Sequence, residues 1–221
     1  MPTNVLCDSP IQGLVLRIIK LSACGVPVTG TGSAQIVMDG FVQVQDSPQY
    51  DTGDRKITRK ANGTLCQNFK EPDQYTNDEL TIDFCVFHPG VIVNALAGRL
   101  LTATASPTGT GVALGTWANV TPAHWSLEVW QAPPQSCDSS GVVRYPYHAW
   151  PHISDGKRGD MSINQDPTML QIIGNTYDAS PLWTVGATYL GAGQVVQGDH
   201  WLRNLQNTAP PPSACIIADY P

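Results

Sequence analysis

Asn62-Gly63-Thr64 spells an N-glycosylation acceptor, and Asn119 begins a second one that runs into Pro122. Cys66 closes the first stretch, and Cys85 and His88 follow within about 20 residues, which raises a metal site. Zinc needs four close ligands, usually as pairs at short spacing, because a tetrahedral ion draws its donors from two local corners. Only Cys85 and His88 are near one another, so no metal site is assigned. Asp8, Ser9 and the scattered His124, His148, His152 and His200 make no triad, and no Gly-x-Ser-x-Gly elbow or phosphate-cradling glycine loop occurs. The histidines read more economically as interface or capping groups. Arg158-Gly159-Asp160 matches a cell-adhesion tripeptide, three common residues at the entrance of an expected strand. Six tryptophans raise sugar stacking; alternation accounts for Trp125 as core and leaves Trp117, Trp150, Trp183 and Trp201 open. The residues assign no catalytic group and no cofactor.

The elements that would position these residues follow a period of two. In ELTIDFCVF, Leu80, Ile82, Phe84 and Val86 face one way and Thr81, Asp83 and Cys85 the other. HWSLEVWQ sets Trp125, Leu127 and Val129 against Ser126 and Glu128, and GFVQVQD sets Val42 and Val44 against Gln43 and Gln45. Such strands are half-buried and antiparallel. GLVLRIIKL is aliphatic on both faces, so it is a central strand or one whose second face meets another protein. One short helix is expected from His88-Pro89 through GVIVNALAG, with Pro89 in its first turn and Gly98 at its C-terminal cap. Residues 102–116, small and polar, read as a loop. VVRYPYHAW, GDMSIN and TMLQIIGNTY read as later strands, and Pro210-Pro211-Pro212 favours an extended polyproline-like tail over residues 206–221. The fold class is mainly β: a single domain, 1–221, forming an antiparallel β-sandwich with one short α-helix, a long projecting arm and extended termini.

Residues 46–79 are that arm. With Asn62-Gly63 as a two-residue turn, Lys60 pairs with Leu65, Thr58 with Gln67 and Lys56 with Phe69. Neither face of the hairpin is cleanly apolar, so it is either mobile or completes its packing on a partner. It also gathers Arg55, Lys56, Arg59 and Lys60 within an acidic protein. Two readings stand: a solvated charged hairpin, or a basic arm docking on an acidic neighbour.

Composition agrees with a turn-rich β protein. The 221 residues carry 14% charged side chains, 20 Gly and 18 Pro, and a formal net charge of −6. A nucleic-acid reader presents a basic face because phosphate contacts dominate its affinity, so tight DNA or RNA binding is not expected. Met1-Pro2-Thr3-Asn4 lacks the basic start of a leader, and the apolar run from Leu14 is broken by Arg17 and Lys20. No stretch has the length of a membrane span. Without an export signal the sequons read as accidents, and six widely spaced cysteines read as buried hydrophobes or reduced thiols.

The order of motifs carries a resemblance. Asp39-Gly40-Phe41, Asp51-Thr52-Gly53-Asp54, Lys60 to Cys66, Asp73-Gln74 and Phe84-Cys85 follow one another, then His88-Pro89 where an acid-Pro pair is usual. HWSLEVW, GDMSIN, GDHW at 198–201 and a Pro-rich, Cys-bearing end come later. This series resembles the major tail tube proteins of long flexible-tailed bacteriophages (siphoviruses), those infecting actinobacteria above all. It covers most of the chain and thins between Leu101 and Thr121. His88 in place of an acid bears on the helix cap.

The resemblance implies a virion structural protein, made in the bacterial host cytoplasm and residing in the phage tail. Such subunits form hexameric rings that stack into a hollow conduit for DNA delivery. The implied partners are further copies of the chain, the tape measure protein, and tail terminator and distal tail proteins. DNA passes through the lumen without specific binding, and no membrane is involved. In this family the long loop between early strands reaches an adjacent ring. The expected inter-ring contact residues are therefore Arg55, Lys56, Arg59, Lys60, Asn62 and Gly63. A capsid decoration protein or a distal tail or baseplate protein is the alternative, since these too are charge-poor β domains. A metal-dependent hydrolase using Cys66, Cys85 and His88, and a secreted adhesion domain, are the readings from other classes.

Overall fold

The computed structural model describes residues 12–28, 35–86, 88–102, 110–115, 122–133, 143–162, 169–183, 195–206 and 208–218. Thirteen strands and one helix follow in chain order among them: β1 (Gly13–Leu21), β2 (Gln35–Met38), β3 (Phe41–Asp51), β4 (Arg55–Arg59), β5 (Leu65–Lys70), β6 (Gln74–Phe84), α1 (Pro89–Ala95), β7 (Arg99–Thr102), β8 (Thr110–Ala113), β9 (His124–Gln131), β10 (Tyr145–Ser162), β11 (Met169–Thr176), β12 (Leu202–Gln206) and β13 (Ala214–Ala218). The main sheet runs β13-β2-β1-β9-β10-β11-β6-β3, with β12 on β10. Its pairings are antiparallel.

The expected sandwich is made by one sheet rather than two. β10 is long enough to serve both layers: its first half pairs with β9 and β12, its second half with β11. Register shifts within β10 mark bulges, and bulges bend and twist a strand. Leu16 and Ile18 of β1, Ile36 and Met38 of β2 and Leu127 of β9 therefore share one cluster with Leu80, Ile82 and Phe84 of β6 and Ile172 of β11. VVRYPYHAW and GDMSIN, expected as separate strands, are largely the two ends of this single strand; Val142, Ile163 and Asn164 lie outside the described residues.

β1 is central, between β2 and β9, and both its faces are buried within the chain. Leu16 and Ile18 enter the first cluster, while Val15, Ile19 and Leu21 join Val37, Trp130, Tyr147, Ala149 and Trp183 in a second. β9 was expected to be half-buried, and here the structure differs. Ser126 and Glu128 are fully buried because the second cluster covers that face as well. There Glu128 meets Arg17, its cross-strand partner, and the Tyr147 hydroxyl, which donates to Glu128 Oε1. The Arg17 guanidinium also lies 5.4 Å from the Trp130 ring centre. A buried carboxylate requires such partners.

Three local expectations change. In β3, a bulge between Phe41 and Gln43 makes Val42 the extra residue, so it is exposed while Phe41 and Val44 pack on the core. In the stretch expected as a loop, β8 pairs with β7; residues 103–109 lie outside the described set. The tail carries β13, which pairs with β2 past the prolines, so part of it is an edge strand of the sheet.

α1 has the expected two turns and start. His88 caps it, its Nδ1 accepting the Gly90 N–H at 3.1 Å, and Pro89 takes the first position, where no N–H is needed. Imidazole thus supplies the cap acceptor. At the other end the left-handed residue is Ala97 (φ 51°), not Gly98. Gly98 instead donates its N–H to the Ile92 carbonyl, with no room for a Cβ. Val91, Ile92, Ala95 and Leu96 join the first cluster.

Candidate assembly surfaces

The ladder between β3 and β6 runs from Phe41–Phe84 out to Asp51–Gln74, with bulges at Phe41/Gln43 and Gln49/Tyr50. Within residues 46–79, Asp46–Asp51 and Gln74–Glu79 continue the β3–β6 ladder, which β11 accompanies only as far as Glu79, and residues 52–73 form the hairpin arm beyond it. At its root Gly53 presses on the opposite strand: a Cβ there would lie 2.0 Å from the Glu71 carbonyl oxygen. Gly53 N–H donates to Asp73 Oδ1 at 2.9 Å, and Glu71 N–H to the Asp54 carbonyl at 3.0 Å. Asp73 is held below the usual carboxylate range by Lys70 first and by that Gly53 bond second.

β4 and β5 pair as expected at Lys56–Phe69 and Thr58–Gln67. Nearer the tip the register shifts, so Leu65 faces Arg59 rather than Lys60. The turn is longer than two residues: Gly63 N–H donates to the Lys60 carbonyl and Lys60 N–H to the Thr64 carbonyl. Gly63 supplies the left-handed residue (φ 80°) at the bulge that follows a type I turn. Asn62 Oδ1 accepts from Thr64 N–H and from Thr64 Oγ1 at 3.1 and 2.6 Å. The sequon residues are thus engaged in the turn itself.

Every residue of β4 and β5 is exposed. Ile57 at 47%, Leu65 at 52% and Phe69 at 50% exposure are apolar groups without a core. The register puts Ile57, Arg59 and Leu65 on one face and Lys56, Thr58, Gln67 and Phe69 on the other. Of the six expected contact residues, Arg55 donates to Asn68 Oδ1, Lys56 pairs with Glu71 and Arg59 donates to the Gly63 carbonyl. The structure brings all six together on one hairpin.

Below the arm, β3, β6, β10, β11 and His200 enclose a cleft of about 730 Å³, lined by Gln49, Asn77, Glu79, His152, Asp178 and His200 among others. Its floor is a chain of polar contacts. Asp78 N–H donates to Thr176 Oγ1, which lies 2.8 Å from His200 Nδ1, while His200 Nε2 is 3.3 Å from Asp178 Oδ1. Asp178, His200 and Thr176 line up like a nucleophile relay, but Thr176 is 1% exposed and its hydroxyl oxygen already accepts from Asp78. Thr176 Oγ1 thereby links the β6 backbone to His200. Trp150 Nε1–H donates to Asp46 Oδ2, and burial, then the neighbouring Asp78, push the Asp46 carboxyl up.

Aromatic groups rim the cleft. Tyr75 stands edge-on to His200 and to Tyr50, with ring centres 5.2 and 5.8 Å apart. Burial first and Asp78 second raise the Tyr75 phenol. Tyr177 donates to Asp155, and that bond, with burial, pushes its phenol up to about 12. Asp155 reaches it from a left-handed conformation (φ 54°) at the β10 bulge. His124 Nδ1 is 2.9 Å from His152 Nε2, and burial, then His152, lower the His124 imidazole.

The remaining sequence candidates separate. Cys85 lies just past β6 and is exposed rather than mid-strand, and Cys66 is exposed on the arm; both are free thiols. Among the described residues no three His, Cys, Asp or Glu are grouped to hold a metal ion. Arg158-Gly159-Asp160 lies within β10 beside β11, not in a loop, and a Cβ on Gly159 would strike the Gln171 side chain. Trp150 and Trp183 are buried, Trp201 is exposed, and Trp117 lies outside the described residues. Asp8, Ser9 and Asn119 lie outside them too. His148 stacks between Trp150 and Trp201. The cleft escaped sequence reading because its walls come from five separated segments with no local spacing in common.

No protein-family model matches the chain, and no curated protein matches it. Among solved structures it is similar to the tube-terminating cap of an anti-feeding prophage, at 12% identity and a TM-score of 0.33, over 80% of this chain and 95% of that one. Among the described residues no helix is long and apolar enough to cross a membrane.

Proposed function

We propose that the protein is a virion structural subunit, the major tail tube protein of a long flexible-tailed phage, whose stacked hexameric rings form the conduit for DNA. The observation that carries this reading is the arm: a basic hairpin with apolar groups on both faces, none of them buried, on a root shaped by Gly53. A hairpin alone is marginal in water, so one that keeps this many exposed apolar groups is built to finish on a partner. The ends of the main sheet, β3 and β13, add strand edges, and paired edges are the natural contact within a ring. Head-to-tail contacts between unlike surfaces close into rings in one direction and extend as filaments in another. The sequence resemblance supplies the particular assembly: six subunits per ring, an inter-ring role for Arg55, Lys56, Arg59, Lys60, Asn62 and Gly63, and tape measure, terminator and distal tail proteins as partners. The net charge of −6 suits a lumen through which DNA slides, because a basic wall would grip phosphate.

Electron microscopy of the purified protein, concentrated without any other component, tests the reading. Hollow tubes of stacked rings are the expected result. Monomers at every concentration, or shells and isolated spikes, would overturn it in favour of a decoration or distal tail protein.

A further inference from the structure

We infer that the cleft between β3, β6 and β11 receives the tip of the β4–β5 hairpin from a second copy of the chain. The inference rests on the stacking role proposed above and identifies the receiving surface for the arm. Three observations converge on it. Between Ile57 and Gln67 the hairpin carries Arg59 and Lys60 and no acid. The cleft exposes Glu79 and Asp178 beside His152 and His200, and among the described residues no lysine or arginine lines it. The rim adds Tyr50, Tyr75 and Tyr177, each at least 40% exposed. An acidic cleft with aromatic edges suits a guanidinium flanked by aliphatic groups, which the face of Ile57, Arg59 and Leu65 presents.

The occupant is a second copy because the chain's own hairpin does not fill the cleft. Every residue of β4 and β5 is exposed, and the ladder that carries them leads outward past Gln49 to Asp51. At roughly 3.3 Å per residue the tip can stand up to about 36 Å beyond Asp51, far enough to reach a neighbouring subunit. Glu79 gains a partner by this docking, Asp178 a second beside His200, and Ile57 and Leu65 gain apolar cover.

The test mixes light and isotopically heavy full-length protein, assembles it, and couples touching amines and carboxylates with a zero-length carbodiimide. Peptides joining light Lys60 to heavy Glu79 or Asp178 are expected. In parallel, Glu79→Lys/Asp178→Lys and Arg59→Glu/Lys60→Glu should each weaken assembly by roughly tenfold or more, and the chain carrying all four should recover part of the loss. All four side chains are exposed, so the variants should unfold like wild type. Tubes that form normally with the cleft pair reversed, or cross-links confined to one isotope, refute the docking while leaving the stacking role intact. Wild-type protein that never assembles sinks both.

Discussion

Replacing residues 52–73 with Asn-Gly would join Asp51 to Gln74 through a two-residue turn and delete the arm. The structure sets the expected magnitude. No side chain of β4 or β5 is buried, and the ion pairs Lys56–Glu71 and Lys70–Asp73 leave together with the segment. Both are exposed pairs of small worth. Shortening the loop from 22 residues to two favours the folded state by about 2 kcal/mol at most, by (3/2)RT ln of the length ratio. The arm's own ladder already offsets part of that. At about 2–4 °C per kcal/mol for a chain this size, Tm should stay level or rise by up to roughly 8 °C. Thermal unfolding by circular dichroism reads this, and sedimentation with electron microscopy reads assembly, which should be lost. A Tm lowered by more than about 5 °C would mean that the arm supports the sandwich; tubes of ordinary length would mean that it does not join subunits.

Other perturbations address the body of the fold. Glu128→Gln leaves Arg17 charged among Trp130 and Tyr147, and should cost about 3–5 kcal/mol by chemical denaturation. Arg17→Met/Glu128→Leu/Tyr147→Phe should recover most of it, since apolar groups of similar size fit the same site; equal loss in both would show that the network does not behave as a buried ion pair. Gly156→Ala brings a Cβ to 2.1 Å from the Ala95 carbonyl at the end of α1, and should cost about 1–3 kcal/mol or more, read as a lowered Tm. Gly63→Ala meets nothing within 4 Å, and with its strain confined to the arm tip should leave Tm unmoved. His124 binds its proton less readily in the folded chain than in the unfolded one. The unfolded state therefore takes up more protons below about pH 6.5, and stability should fall as pH drops from there; His124→Asn should flatten the decline between pH 7 and 5, and an unaltered slope would refute the assignment.

The residues by themselves determined the mainly β character, the two apolar faces of β1, the start of α1 and the inner register of the arm. Each depends on neighbours in sequence: aliphatic runs, a His-Pro step, and a turn signal with strands that pair across it. Even there the tip escaped, because whether Asn-Gly makes a two-residue turn or Gly63 closes a longer one depends on the Arg59–Leu65 bulge. The tertiary structure alone decided how the layers form. Only the length and bulges of β10 fold one sheet over a common core, and only the cover from Trp183 and its neighbours turns the alternating β9 into a strand buried on both faces, with Glu128 inside. The cleft belongs wholly to that level. Glu79, His152, Asp178 and His200 acquire a shared surface because β11 pairs with β10 on one side and β6 on the other, and contacts between residues so distant along the chain leave no periodic trace in it.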